Sequence, residues 1–157
     1  MLSVFQSIEF SAIGQALKNS SWAFAVIESI HLLALAAIGG AVLVVDMRLL
    51  GLGLKRQTVV DVARDAQPVF VWSLLVMLVT GAALFVSEAI KCYYSTPFWV
   101  KMTSLALAIL FTFTVKRRAT LSDHAPASPA MLRLIALVSL TLWFGVGAGG
   151  RWIGFSG

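Results

Sequence analysis

Residues 21–45 read SWAFAVIESIHLLALAAIGGAVLVV, a run of 25 positions in which Glu28 and His31 are the only ionisable side chains. At ~1.5 Å of rise per residue, roughly 20 helical residues cross the hydrocarbon of a bilayer. The run is long enough to span with some tilt and too apolar to form the surface of a soluble domain. Asn19, Ser20 and Ser21 precede it as candidate caps, because short polar side chains satisfy the free N–H groups of a first helical turn.

The same pattern recurs three times downstream. Pro68 opens a second apolar run to about Ile90, Pro97 opens a third to Val115, and a fourth covers Met131 to Gly147. Proline suits a first helical turn, where its missing N–H costs nothing. Between the spans lie a charged loop from Asp46 to Gln67, a short turn from Lys91 to Thr96, and Ala119 to Ala130, which holds Asp123, Pro126, Ser128 and Pro129. Ahead of them, Phe5, Ile8, Ala12, Ile13, Ala16 and Leu17 recur at spacings of three and four, the pattern of a short helix lying in the interface. The expected fold is all-α: an integral membrane four-helix antiparallel bundle, one transmembrane domain over residues 1–157, with an N-terminal interfacial amphipathic helix.

Composition agrees. The chain is 59% hydrophobic and 12% charged, against about a quarter charged in soluble domains. Its mean hydropathy is +0.91. Met1 to Asn19 does not read as a cleaved signal peptide, since it carries Glu9 and Gln15 and Lys18 is its only basic side chain. Cys92 is the only cysteine, which excludes an intrachain disulfide and argues against a thiolate metal cluster. A formal charge of +5 would suggest nucleic acid in a soluble protein; here it suits basic loops facing an anionic leaflet, with the lipid bilayer as partner and no nucleic acid. The loops after the first and third spans, with the adjoining span ends, hold Arg48, Lys55, Arg56, Arg64, Lys116, Arg117, Arg118 and Arg133, eight basic residues against Lys18, Lys91, Lys101 and Arg151 opposite. The positive-inside rule then puts those loops in the cytoplasm and both termini outside.

His31 is the most informative residue. It lies ten residues into the first span, where an ionisable group needs a partner or an inward-facing position. Glu28 sits one turn earlier on the same helical face, placed to fix the imidazole tautomer, bind a proton, or support a metal-bound histidine. A purely structural polar contact between helices is the competing reading. Glu88, Lys91, Lys101 and Arg151 fall in the same half of the membrane and suit either an anionic headgroup, quinone or haem propionate, or a neutralised network with snorkelling side chains. Lys101 carries most weight among them, because Met102 to Leu105 already lie inside a span. Asp46 and Arg48, two residues apart, face different ways and need partners from other elements. Trp22, Trp99, Trp143 and Trp152 read as interfacial anchors. Met47, Met77 and Met102 are soft ligand types but more commonly packing, and His124 stands in a loop. Gly39, Gly40, Gly81, Gly145 and Gly149 suggest close helix approach. No carboxylate-rich metal motif, serine nucleophile motif or CxxC is present, so catalytic residues are unassigned.

The stretch Val26 to Leu33, with Val44 to Gly51, resembles a family of small bacterial inner-membrane proteins of unknown function. Thr80-Gly81, Leu84-Phe85, Phe98 with Lys101, Trp143 and Gly150-Arg151-Trp152 extend the likeness over nearly the whole chain. It implies a multi-pass protein of the bacterial inner membrane and supplies no activity. A first-helix histidine, an arginine-leucine pair at that helix's end and a lysine early in a later helix also resemble the HemJ-type protoporphyrinogen oxidases and the membrane domains of copper-resistance proteins. That likeness implies haem b, with His31 as metal ligand and Lys101 and Arg48 as further site residues; Asp46 ahead of Arg48 departs from the pattern. The leading expectation is a cofactor-binding or redox-associated membrane protein, possessing a b-type haem held by His31, oriented by Glu28, with Lys101 and Arg151 pairing with acidic substituents. The alternatives are a non-enzymatic subunit that packs in a larger membrane complex or a homo-oligomer, and a small proton-coupled transporter or channel using Glu28 and His31.

Overall fold

A computed structural model describes residues 2–53, 56–121 and 128–153. Helices α1 (Leu2–Glu9) and α2 (Ala12–Asn19) form an N-terminal hairpin ahead of α3 (Ser21–Leu50) and α4 (Val59–Ser87). A short α5 (Ala89–Tyr94) leads to α6 (Thr96–Phe111), which continues through a π turn (Thr112–Lys116) into α7 (Arg117–Leu121); α8 (Pro129–Ile153) ends the described chain. Among the described residues, four helical stretches are long and apolar enough to cross a membrane: residues 21–50, 59–87, 96–121 and 129–153. The protein is therefore a multi-pass, all-α membrane bundle.

Each boundary has a local cause. The Ser20 side chain caps α3 by accepting from the Ala23 N–H, and Gly51 ends it in the left-handed region at φ 78°. Thr58 caps α4 by accepting from the Asp61 N–H at 3.1 Å, while its hydroxyl donates to the Asp61 carboxylate at 2.6 Å. Helix α4 thus begins well before Pro68, where the sequence suggested that the span starts. Val59, Val62, Ala63 and Ala66 recur at helical spacing and pack against Val45 and Leu49 of α3, which extends the helix through its charged first turns. Pro68 forfeits one backbone hydrogen bond inside the helix. The third span likewise runs past Val115, because Lys116 turns inward rather than ending the helix.

Helix α3 packs along both α4 and α8, and α6 packs along α8. The third span meets α4 mainly through α7, so the α4–α6 seam is tightest at the loop end of the bundle. The core is Ala34, Ile38, Val42, Phe70, Leu74, Met77, Leu105, Ala108, Trp143 and Val146. Outward faces carry Leu33, Val79 and Phe144 at 71, 63 and 77% exposure, an inversion that a hydrocarbon solvent rewards. Trp22, Trp99 and Trp152 are exposed near the hairpin end, as anchors should be. Trp143 is not an anchor: it is buried, meets Phe70 edge-on at 5.5 Å and donates its indole N–H to Thr112 Oγ1 at 3.3 Å.

The single amphipathic helix expected at the N-terminus is two helices, broken at Phe10–Ser11, with Ser11 capping α2. Phe10 and Ile13 stay exposed, but Glu9 is buried. Its carboxylate pairs with Lys18 and accepts the Ile90 N–H at 2.8 Å, tying the hairpin to α5. Burial would push this carboxyl up; Lys18 and the Ile90 N–H outweigh it and hold it below its ordinary value of 4.5.

Candidate functional site

In the hairpin-end half of the bundle, three helices bring His31, Thr80 and Lys101 together. His31 projects from α3 towards α4 because Gly81 offers no side chain there; a Cβ on Gly81 would lie 3.1 Å from His31 Cε1. His31 Nδ1 lies 3.0 Å from Thr80 Oγ1, and that hydroxyl spends its own hydrogen on the Val76 carbonyl at 2.7 Å. Thr80 can therefore only accept, so Nδ1 carries the imidazole hydrogen and Nε2 keeps its lone pair. Lys101 Nζ stands 3.4 Å from that Nε2. Helix α8 approaches the lysine through Gly149, where a Cβ would come within 3.1 Å of Lys101 Cβ.

The pair borders a cavity of about 360 Å³ between α4 and α6, lined by Met77, Leu78, Gly81, Ala82, Phe85, Phe98, Met102 and Leu105 as well as His31 and Lys101. Phe85 and Phe98 stack at 5.7 Å across the seam on the hairpin side, and Phe5 of α1 braces Phe85 edge-on at 5.6 Å. The volume lies in the range of small-molecule sites, and the lining follows their usual recipe of apolar walls with few polar groups. One acceptor nitrogen and one amine face it.

Among the residues singled out from sequence, the structure joins His31 to Lys101 and leaves the others elsewhere. Glu28 is exposed and stands at neither ring nitrogen, whose neighbours are Thr80 and Lys101. Arg48 lies at the opposite end of α3 and donates from Nε to the Gln57 carbonyl at 2.8 Å, fixing the first loop. Arg151 is exposed near the end of α8. Met77 is core and cavity wall, whereas Met47 and Met102 are 38 and 42% exposed. His124 lies outside the described residues. A Cβ on Gly39 or Gly40 would meet nothing, so neither marks a close helix approach. Next to the site, burial and then Glu88 push the Cys92 thiol up to about 11, which leaves it protonated.

A second polar centre lies in the loop-end half, where Asp46 finds the partners from other elements that its sequence position requires, Lys116 and Ser139. Asp46 is fully buried in α3; its Oδ1 meets Lys116 Nζ at 2.6 Å as an ion pair off the hydrogen-bond direction, and its Oδ2 accepts from Ser139 Oγ at 2.7 Å. Lys116 in turn donates to Ser139 Oγ at 3.0 Å. The π turn over Thr112–Lys116 carries Lys116 inward, towards Asp46. A smaller cavity of about 70 Å³, lined in part by Gln67, Thr112 and Thr120, abuts it. The signal available in sequence was Asp46 just inside an apolar run, an acid that requires a buried cation.

Residues 4–156 match the model of DUF6644, described as a family of unknown function. No curated protein and no solved structure matches the chain.

Proposed function

The chain belongs to DUF6644, a family of unknown function, and from its own geometry we propose that it is a membrane-embedded cofactor-binding protein whose cofactor sits in the α4–α6 cavity against His31 and Lys101. The observation that carries this reading is the imidazole: Thr80 holds it as the Nδ1–H tautomer, with the Nε2 lone pair turned to Lys101 beside an apolar cavity.

Haem b, which the sequence resemblance implies, fits the donor set. His31 Nε2 would hold the iron, Lys101 would turn from that nitrogen to an acidic substituent, and Thr80 would fix the imidazole tautomer. Haem when bound would supply one-electron redox chemistry. The described residues contribute the ligand, its tautomer and a dry wall. Among them His31 is the only histidine, so any further protein ligand would be a different group. The excess of basic residues at the loop end supports a reading with that end in the cytoplasm and this site nearer the outer leaflet of a bacterial inner membrane.

Protein purified from its native, haem-replete membrane tests the reading. It is expected to show a Soret band that is lost in His31→Ala; a colourless wild-type preparation overturns the haem assignment. The accessory-subunit reading draws on a different face, where Gly39 and Gly147 open a groove of about 740 Å³ between α3 and α8. Stoichiometric co-purifying polypeptides in that same preparation would favour it.

A further inference from the structure

Among the described residues two lysines face inward, and the bundle provides for their charges differently. Lys116 has Asp46 at 2.6 Å. Lys101 has the neutral imidazole Nε2 at 3.4 Å and, among the described residues, no carboxylate within ion-pair distance. An ammonium at membrane depth without an anion is expensive, and the chain avoids that expense at Lys116 but not at Lys101. Gly149 and Gly150 meet the lysine stem without side chains, so α8 offers no group to compete for the ammonium.

The space in front of Lys101 is apolar and has a sideways opening. Leu78 and Met102 line the cavity and are 44 and 42% exposed on the outer surface of the bundle, so its rim faces lipid. Lys101 lies five residues inside α6, roughly 8 Å along the helix from its first residue. A phospholipid headgroup is held back at the interface by its glycerol and its charge, whereas a carboxylate on a plain apolar body can follow the seam inward.

We propose that the His31–Lys101 site takes an apolar molecule bearing one carboxylate, which moves in sideways from the bilayer between α4 and α6 and supplies the anion that Lys101 lacks. This rests on the reading of the cavity as a ligand site and adds the chemistry that selects the ligand. A charge-assisted hydrogen bond in a low-dielectric site is the discriminating contact, and the neutral ester of the same molecule loses it.

Equilibrium binding of radiolabelled palmitate to the full chain in dodecyl maltoside tests the proposal, with methyl palmitate and dioleoylphosphatidylglycerol as competitors. Saturable binding is expected, weakened about tenfold or more in Lys101→Met and within a few-fold of wild type in Lys101→Arg. Methyl palmitate is expected to compete at least tenfold less well than palmitate. Equal binding by Lys101→Met, or equal competition by the ester, overturns the proposal; stronger competition by phosphatidylglycerol overturns the carboxylate assignment in favour of a lipid phosphate. Should Lys101→Met fail to fold, Leu78→Trp decides, because it blocks the seam from the exposed rim without touching charge, and unchanged palmitate binding there refutes sideways access. The absorption spectrum of the wild type, recorded before palmitate is added, separates the two readings. A colourless wild type with Lys101-dependent palmitate binding removes haem and leaves this proposal, whereas a wild type that shows a Soret band but binds no palmitate after its haem is stripped loses this proposal alone.

Discussion

Changing Lys116 to methionine strips a fully buried carboxylate of its countercharge while preserving most of the side chain's length. Asp46 has no exposed surface, and the Lys116 side chain is 6% exposed. Removing one member of such a pair leaves an uncompensated charge and costs about 3–5 kcal/mol in soluble proteins, whereas replacing both by groups of similar volume is often close to neutral. Asp46→Asn alone should fall in the same range from the opposite side, since it leaves the ammonium without its anion. The double variant Asp46→Asn/Lys116→Met keeps an amide that can still accept from Ser139, and it should recover most of the loss. For a chain of this size, about 2–4 °C of midpoint shift accompanies each kcal/mol. The single variants are therefore expected about 6–20 °C below wild type in thermal unfolding followed by circular dichroism in detergent, with the double variant within about 5 °C of wild type. A double variant that falls by the sum of the singles shows no coupling and refutes the pair as an energetic unit.

Two further outcomes follow from single contacts. Gly81→Val puts a branched side chain where His31 Cε1 would be 3.1 Å from the new Cβ; it is expected to cost about 1–3 kcal/mol by overpacking and to displace the imidazole, read as loss of any His31-dependent Soret band with helicity retained. Glu9, whose folded value lies below 4.5, stabilises hairpin docking above that ordinary value, and the contribution disappears as pH falls through the folded value. Hydrogen exchange in α1 and α2 should therefore rise at acid pH in wild type, and in Glu9→Gln should be fast and pH-independent after correction for intrinsic rates.

What the sequence made legible and what it hid divide along a physical line. The spans were plain because a bilayer imposes length and apolarity on every residue of a crossing helix, and the first run, 21–45, shows both without interruption. Helix ends were less plain. Val59 to Gln67 and Lys116 to Leu121 carry the charges that mark a loop, yet both are helical, because Val62, Ala63 and the inward-turned Lys116 have core partners that no local pattern displays. His31 and Lys101 were both visible as costly intramembrane groups, but their meeting depends on Gly81, Gly149 and the course of three helices. Glu28 was read as the partner of His31 from helical spacing alone; spacing places two residues on one face and does not say which of them turns inward.

The two polar centres stand fifteen residues apart along α3, from His31 to Asp46, which is about 22 Å at the helical rise. Ile38 and Val42 lie between them on that helix, and Leu74, Met77, Leu105, Ala108 and Val146 close round these from the other spans. These side chains offer no donor or acceptor, and the buried Ser73 next to Leu74 spends its hydroxyl hydrogen on the Val69 carbonyl, so the described side chains form no continuous relay between the two centres. Each centre therefore needs its own explanation. Asp46 and Lys116 answer one another's charge, and Ser139 accepts from Lys116 and donates to Asp46, which makes that centre a lock between the first, third and fourth spans with its charges paired. His31 and Lys101 leave an ammonium facing an apolar cavity that opens at its rim to lipid. The incomplete centre is the one that calls for a ligand.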